Sequence, residues 1–558
     1  MMKPSTLCLF VAALSSIPAF AASPKISPEL RHADANSYAD VIVQYAHTPN
    51  SRHHIMVANL GGSLRQSFTA IKAGAYRLPV STLEALASDP DVVHISPNHQ
   101  IRHMDDNNNE AVNALAAWSA NLTGGSVGVA VIDSGILTSP DLPNNMVVYT
   151  QDFTGSNGQD AYGHGTHVAG ILAGNGSAAQ CQTCFRNLQG ASPAVKLINL
   201  RVLDQNGAGT DSLVISAIQA AINLKSQYNI RVINLSLGRP VYESYTVDPL
   251  CQAVEAAWKA GIVVVTAAGN DGRDNSEGTY GYGTIIAPGN DPYVITVGAM
   301  KSMGTYTRTD DLIASYSSKG PTVIDHIVKP DLVAPGNLVV SLNANGTLAQ
   351  ANPTDTVLRN YFDSSANSTT VAPQYFVLSG TSMATPVVSA AAAILIEKNP
   401  SLTPDQVKAK LMLTAYKTFP VSSVAIDPTT GISYTDYYDP FTVGAGYLDI
   451  QAALANQTTF SGSAMSPVAQ LTSNNQITVA CSTNSVCATI PVNGSNSLWG
   501  SSSLWGSSSL WGSSSLWGSS SLWGSSSLWG SSSLWGSSSL WGSSNADAAE
   551  SISTTGER

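Results

Sequence analysis

The sequence predicts an α/β fold: a mostly parallel central sheet flanked by helices, preceded by a small α+β unit and followed by a low-complexity tail. Three observations carry this expectation. From about residue 127, near-continuous Val/Ile runs alternate with amphipathic helical stretches, the pattern of a parallel sheet covered on both faces. Before it, residues 38–103 alternate short strand-like and helical segments and lead into the polar stretch "DDNNNEAVNA". After it, "SNSLWG" and seven copies of "SSSLWG" run from Ser495 to Gly542.

Taken in order, residues 1–21 read as an export signal: Lys3, an apolar run from Leu7 to Phe20, and the small-x-small site Ala19-Phe20-Ala21. Pro18 interrupts the run, which is short for a membrane span. Residues 22–37 read as a linker. In 38–103, "ADVIVQYA" and "VVHISPNHQIRHM" are strand-like, "VSTLEALASDP" is a helix ended by Pro90, and "SLRQSFTAIKAGAYRLP" is mixed. The stretch 105–114 reads as a linker into the main domain, 104–455.

There the strand-like runs are "VGVAVID", "VKLINLRVLD", "RVINLSLG", "GIVVVTAAGN" and "PYVITVGAM". Helical patterns separate them in "GTHVAGILAG", "DSLVISAIQAAINLKSQ" and "DPLCQAVEAAWKAG". "VVSAAAAILIEKNP" is apolar enough for a buried helix, Thr403 is placed to cap "TPDQVKAKLMLTA", and "GAGYLDIQAAL" closes the domain. Residues 456–494 read as a short β-rich extension, 495–542 as the repeats, and 543–558 as a disordered C-terminus. The six-residue repeat period is even, so an extended chain places every Trp on one face; no α-helical period fits. Each unit is half Ser and uncharged and cannot build a core, which leaves a flexible tail or an adhesive, sugar-stacking array of indoles.

Only 11 % of the 558 residues are charged and the formal net charge is −11. That balance argues against nucleic acid as a partner, since phosphate binding needs clustered Lys and Arg. No later segment has the apolar length of a transmembrane helix, so the mature protein is expected outside the cytoplasm. Cysteine usage agrees: in an oxidising compartment Cys181 with Cys184, and Cys481 with Cys487, are close enough for local disulfides. A redox CxxC or half of a zinc site is the rival for the first pair. Cys251 is left unpaired, on a helix.

Four segments place polar groups where loops leave strands or enter helices, the usual location of function in such sheets. "VAVIDSGI" puts Asp133 at a strand end. "GHGTHVAG" puts His164 at a helix start, between glycines that let a substrate backbone come close. "SGTSMATP" puts Ser382 at another helix start, and "VVVTAAGN" brings Asn270 to a strand end. A serine hydroxyl needs a base within hydrogen-bond reach, and the base needs a partner that holds its tautomer. Asp133, His164 and Ser382 suit those roles. The Asn270 amide and the Ser382 backbone N–H suit a developing oxyanion. His167 reads as structural, Asp141 as a turn residue, and Ser379, Thr381 and Thr385 as cap and turn hydroxyls.

These motifs, in the order Asp, His, Asn, Ser over 127–455, resemble the subtilisin-like serine proteases; the order separates the chain from chymotrypsin-like enzymes and α/β-hydrolases. The resemblance implies endopeptidase chemistry through an acyl-enzyme on polypeptide substrates. It further implies substrate binding along Ser236, Leu237 and Gly238 with a broad or apolar preference. Residues 38–103 resemble the family's inhibitory propeptide, removed by the chain's own site around 103–110. No cofactor is expected for catalysis. Asp141 matches a calcium-ligating position of some relatives, but the loop at 172–192 carries the CxxC and lacks the partners, so no metal is assigned, and structural calcium elsewhere stays open. Two rival readings are a surface-binding protein with an inert core, acting on glycans or cell surfaces through the tail, and a sedolisin-type carboxyl protease; His164 stands where the latter carries an acidic pair.

Overall fold

Val and Ile are stiff at Cβ and pack well on a pleated surface, so buried runs of them become strands. In the computed structural model this happens at Gly128–Asp133 (β1), Val147–Asp152 (β2), Lys196–Arg201 (β3), Ile230–Leu235 (β4), Val263–Ala267 (β5) and Ile295–Lys301 (β6). Leu312–Ile313 (β7) and Leu332–Pro335 (β8) complete one eight-stranded sheet in the order β7-β6-β5-β4-β1-β3-β2, with β8 also on β6. Every pairing is parallel except β6 with β7. All six residues of β1 are buried, so both faces of the sheet are covered at its centre.

The structure describes residues 23–98 except 32 and 70, and 104–471 except 106, 157, 277, 428 and 429, then 477–480 and 556–557. The segment 1–21 expected to be an export signal, Cys481, Cys487 and the repeats lie outside the described residues. Two compact units divide the chain between Arg102 and His103.

In the smaller unit four strands pair antiparallel in the order Ser63–Phe68, Ala73–Pro79, Tyr38–Tyr45, Val92–Pro97. Val41, Val43, Tyr76, Leu78 and Ile95 form its core with Val57 of the helix Ser51–Asn59. Two expectations change here. The mixed segment 63–79 is a strand pair. Residues 22–37 are not wholly a linker: Ile26 and Leu30 are buried in this core, and Ser27 N–H donates to the Ile95 carbonyl at 2.9 Å. Two apolar side chains in a polar stretch suffice to pin it.

In the larger unit, helices His164–Ala173 (α1), Asp211–Tyr228 (α2), Pro249–Lys259 (α3), Thr381–Lys398 (α4) and Pro404–Thr414 (α5) surround the sheet. α4 is buried from Thr381 to Ile396, which its near-absence of polar positions dictates. Thr403 caps α5 in a capping box with Gln406. β2 was not legible as a strand, because "VVYTQD" on the sheet edge alternates partly buried and exposed positions. The expected linker 105–114 is instead anchored: Asn107–Ala111 is a short helix, Ala111 and Val112 are buried, and the Asn109 amide donates to the Gln189 carbonyl at 2.7 Å.

The domain does not close at 455. Phe460, Ala464 and Ala469 join the main core, and Val468–Leu471 pairs with Ile477–Ala480. Ser466 reaches the sheet through a buried cluster: its hydroxyl donates to Asp331 Oδ1 at 2.5 Å, while Lys329 and Lys408 lie 2.7 and 3.1 Å from the same carboxylate. Burial drives the Lys408 ammonium down to about 7 despite this carboxylate. The expectation of a disordered C-terminus at 543–558 does not hold for Glu557, which is buried.

One carboxylate therefore holds two buried cations. Removing it breaks the buried pair with Lys329, a loss of about 3–5 kcal/mol by the usual cost of breaking such a pair. Urea denaturation of Asp331→Asn, made in a Ser382→Ala chain to prevent self-digestion, is expected to show that loss.

Candidate active site

Asp133 is the last residue of β1, and His164 is the first of α1. Their distance depends on how closely that helix meets the turn after the strand. A Cβ at Gly165 would sit 2.2 Å from the Gly135 carbonyl oxygen, so only glycine permits the approach. This glycine serves helix-to-turn packing, a role distinct from the expected room for substrate. Buried Asp160 ties the turn to the helix. It accepts from the Ser134 hydroxyl at 2.9 Å, Gly163 N–H at 2.7 Å, and Thr166 N–H and hydroxyl at 2.8 and 2.6 Å. The result is a 2.8 Å contact between Asp133 Oδ1 and His164 Nδ1, both groups buried. A carboxylate only accepts, so Nδ1 carries the proton and Nε2 is left as a base. Asp160 had no signal beyond an Asp a few residues before a helix.

Ser382 lies in the first turn of α4, after Gly380 at φ 152°. The N-cap residue is Gly380, which has no side chain to cap with, so the hydroxyls of "SGTS" are not N-caps. Ser379 accepts from Leu338 N–H at 2.8 Å, and Thr385 donates to the Thr381 carbonyl at 2.8 Å. Pro386 has no N–H and cannot bond the carbonyl four residues back, which is that of Ser382. The Ser236 hydroxyl bonds it instead, at 2.8 Å. In return the Ser382 hydroxyl donates to the Ser236 carbonyl at 3.0 Å. For nucleophilic attack that proton must turn toward the imidazole, a realignment common on substrate binding. Ser236, expected at the pocket edge, is fully buried, and its side chain faces the nucleophile's own backbone.

Asn270 follows β5. Its Oδ1 accepts from Thr381 N–H at 2.9 Å and from the Thr381 hydroxyl at 3.1 Å. A backbone N–H can only donate, so the atom facing it is the oxygen and the NH₂ points elsewhere, available to an anion. Thr381 was read as a cap or turn hydroxyl; the structure makes it the residue that orients Asn270. Together these groups can deprotonate a hydroxyl and stabilise a negative oxygen beside it.

Leu237 is buried, and a Cβ at Gly238 would meet Ile286 Cδ1 at 2.5 Å, so this stretch is packed against residues 286–287. Arg239, next along, is paired with Asp211 and Asp248 at 2.9 Å each. Cys181 and Cys184 are joined by a disulfide, and Cys251 is free and buried. Asp141 does not suit a cation. Oδ1 accepts from the Ser177 hydroxyl and Ala178 N–H at 2.9 and 2.7 Å, and Oδ2 from the Tyr375 hydroxyl at 2.6 Å. His167 is buried, with Nε2 3.1 Å from the Phe376 carbonyl. Burial, with His164 nearby, pushes its imidazole down to about 3.

The model of the subtilase family matches residues 124–446, more than half of the chain. The chain belongs to the subtilase family. Serine protease AprX of Bacillus subtilis is 36% identical over 359 residues, covering 62% of this chain and 74% of that one. Subtilisin E of the same species is 31% identical over 402 residues, with 71% and 84% covered. A subtilisin of Bacillus pumilus is 33% identical over 343 residues, with 61% and 96% covered. This subtilase is accordingly a subtilisin-like serine endopeptidase.

Ser236→Ala leaves the Ser382 carbonyl without a donor, a cost of about 1–3 kcal/mol. Because the nucleophile's backbone is then free to shift, kcat is expected to fall about 10- to 100-fold with KM nearly unchanged, read in steady-state kinetics. His167 gives a pH dependence. Its folded pKa lies below the unfolded 6.5, so the unfolded chain binds the proton first and stability falls as pH drops from 6.5 toward 3. The loss is about 1.4 kcal/mol per pH unit from this group. His167→Gln in the Ser382→Ala chain is expected to flatten that slope in melts across pH 4–7.

Proposed function

We propose that this subtilase is a secreted endopeptidase of broad or apolar preference, made with an export signal and an N-terminal inhibitory unit at 38–103 that its own site removes within 103–110. The observation that carries the catalytic assignment is the 2.8 Å contact between the Asp133 carboxylate, at a strand end, and the His164 imidazole, at a helix start. In this reading Asp133 holds the His164 tautomer. His164 Nε2 takes the Ser382 proton as the hydroxyl oxygen adds to the scissile carbonyl. Asn270 Nδ2 and the Ser382 N–H stabilise the oxyanion, aided by the α4 dipole. The imidazolium then protonates the leaving amine, and water hydrolyses the acyl-enzyme by the same steps.

The preference rests on buried Leu237, on Ile286 packed against Gly238, and on Arg239, whose charge is neutralised by two aspartates. No cofactor takes part in this scheme. Export is supported by residues 1–21 of the sequence and by the disulfide, which suits an oxidising compartment. Among the described residues no helix is long and apolar enough to cross a membrane.

Casein hydrolysis tests the assignment. Ser382→Ala is expected to abolish it. Asn270→Ala is expected to lower kcat about 100- to 1,000-fold, the loss already known for a subtilisin's oxyanion amide. Activity retained by Ser382→Ala would refute the proposed nucleophile.

A further inference from the structure

A second polar site lies outside the catalytic machinery, and it holds the end of the chain. Glu557 Oε1 is 2.8 Å from Arg273 Nη2, accepts Ser315 N–H at 2.8 Å, and also accepts the Ser315 hydroxyl. Oε2 is 2.8 Å from Lys301 Nζ. Arg273 is shared with Asp427 at 2.9 Å and lies over the Tyr434 ring, but Lys301, itself buried, has no other carboxylate partner among the described residues. The backbone is read as well. The Asn337 side chain donates to the Glu557 carbonyl at 2.7 Å and accepts its N–H at 2.8 Å. Before it, Gly556 has φ +60°, and a Cβ there would fall 2.5 Å from both Leu338 Cδ2 and Ser379 Oγ.

Each feature selects something different. Two cations select a carboxylate, the amide of Asn337 selects a peptide N–H and carbonyl, and the lack of space at Gly556 excludes a side chain. A buried lysine without its anion is costly, so the pocket is built to be filled.

We propose that Arg273, Lys301, Ser315 and Asn337 form a binding site for a Gly–Glu peptide, filled in cis by residues 556–557. The site abuts Ser379, three residues before the nucleophile.

Full-length Ser382→Ala protein, and the same chain carrying Glu557→Gln, test this with a labelled peptide STTGER. The Glu557→Gln chain is expected to bind it at one to one, at least tenfold more tightly than STTGQR or STTAER. The chain with its own glutamate is expected to bind it at least tenfold more weakly, because its pocket is occupied. Glu557→Gln is also expected to melt at lower temperature. Gly556→Ala, which expels the same segment without changing charge, must reproduce the peptide binding if the glutamine variant does not fold. Equal binding of STTGER and STTGQR, or no binding to a folded variant, would overturn the proposal.

Discussion

The site depends on how the first turn of α4 is held without being capped. A helix start normally satisfies its free N–H groups with a nearby side chain, but an oxyanion donor must stay open. This chain resolves the conflict by gripping the turn from the sheet. Ser236, just past β4, exchanges two hydrogen bonds with Ser382, and Asn270, just past β5, takes the Thr381 N–H and hydroxyl. Pro386 makes the first grip necessary, because it leaves the Ser382 carbonyl without its helical donor. The serine is thereby fixed while its N–H remains for substrate.

The parallel sheet supplies the rest through register. β1, β4 and β5 are neighbours that end on the same edge, so Asp133, Ser236 and Asn270 come together from distant parts of the sequence. The close approach of α1 at Gly165 and the four bonds to Asp160 then place the imidazole on the Asp133 carboxylate. Each of these supports sets the position of a group to which the proposed mechanism gives a direct part in the reaction.

The central strands and main helices were legible because their apolar runs are long and their periods distinct. The edge strand β2 and the strand pair at 63–79 were not, since half-exposed strands carry mixed residues. The four chemical groups stood out by motif, whereas their supports did not. The roles of Thr381 and Ser236 arise from contacts between residues 111 and 146 positions apart, and the tie of Asp160 to Ser134 spans 26, which no local pattern encodes. Glu557 is the extreme case, a charged residue in a polar tail whose partners lie far upstream.

The central claim is that His164 activates one particular hydroxyl. Mass mapping of the protein after reaction with a serine-directed fluorophosphonate tests it most directly. The account predicts a single adduct on the peptide bearing Ser382, formed far more slowly in His164→Ala. An adduct elsewhere, or one formed at an unchanged rate without the imidazole, would contradict it.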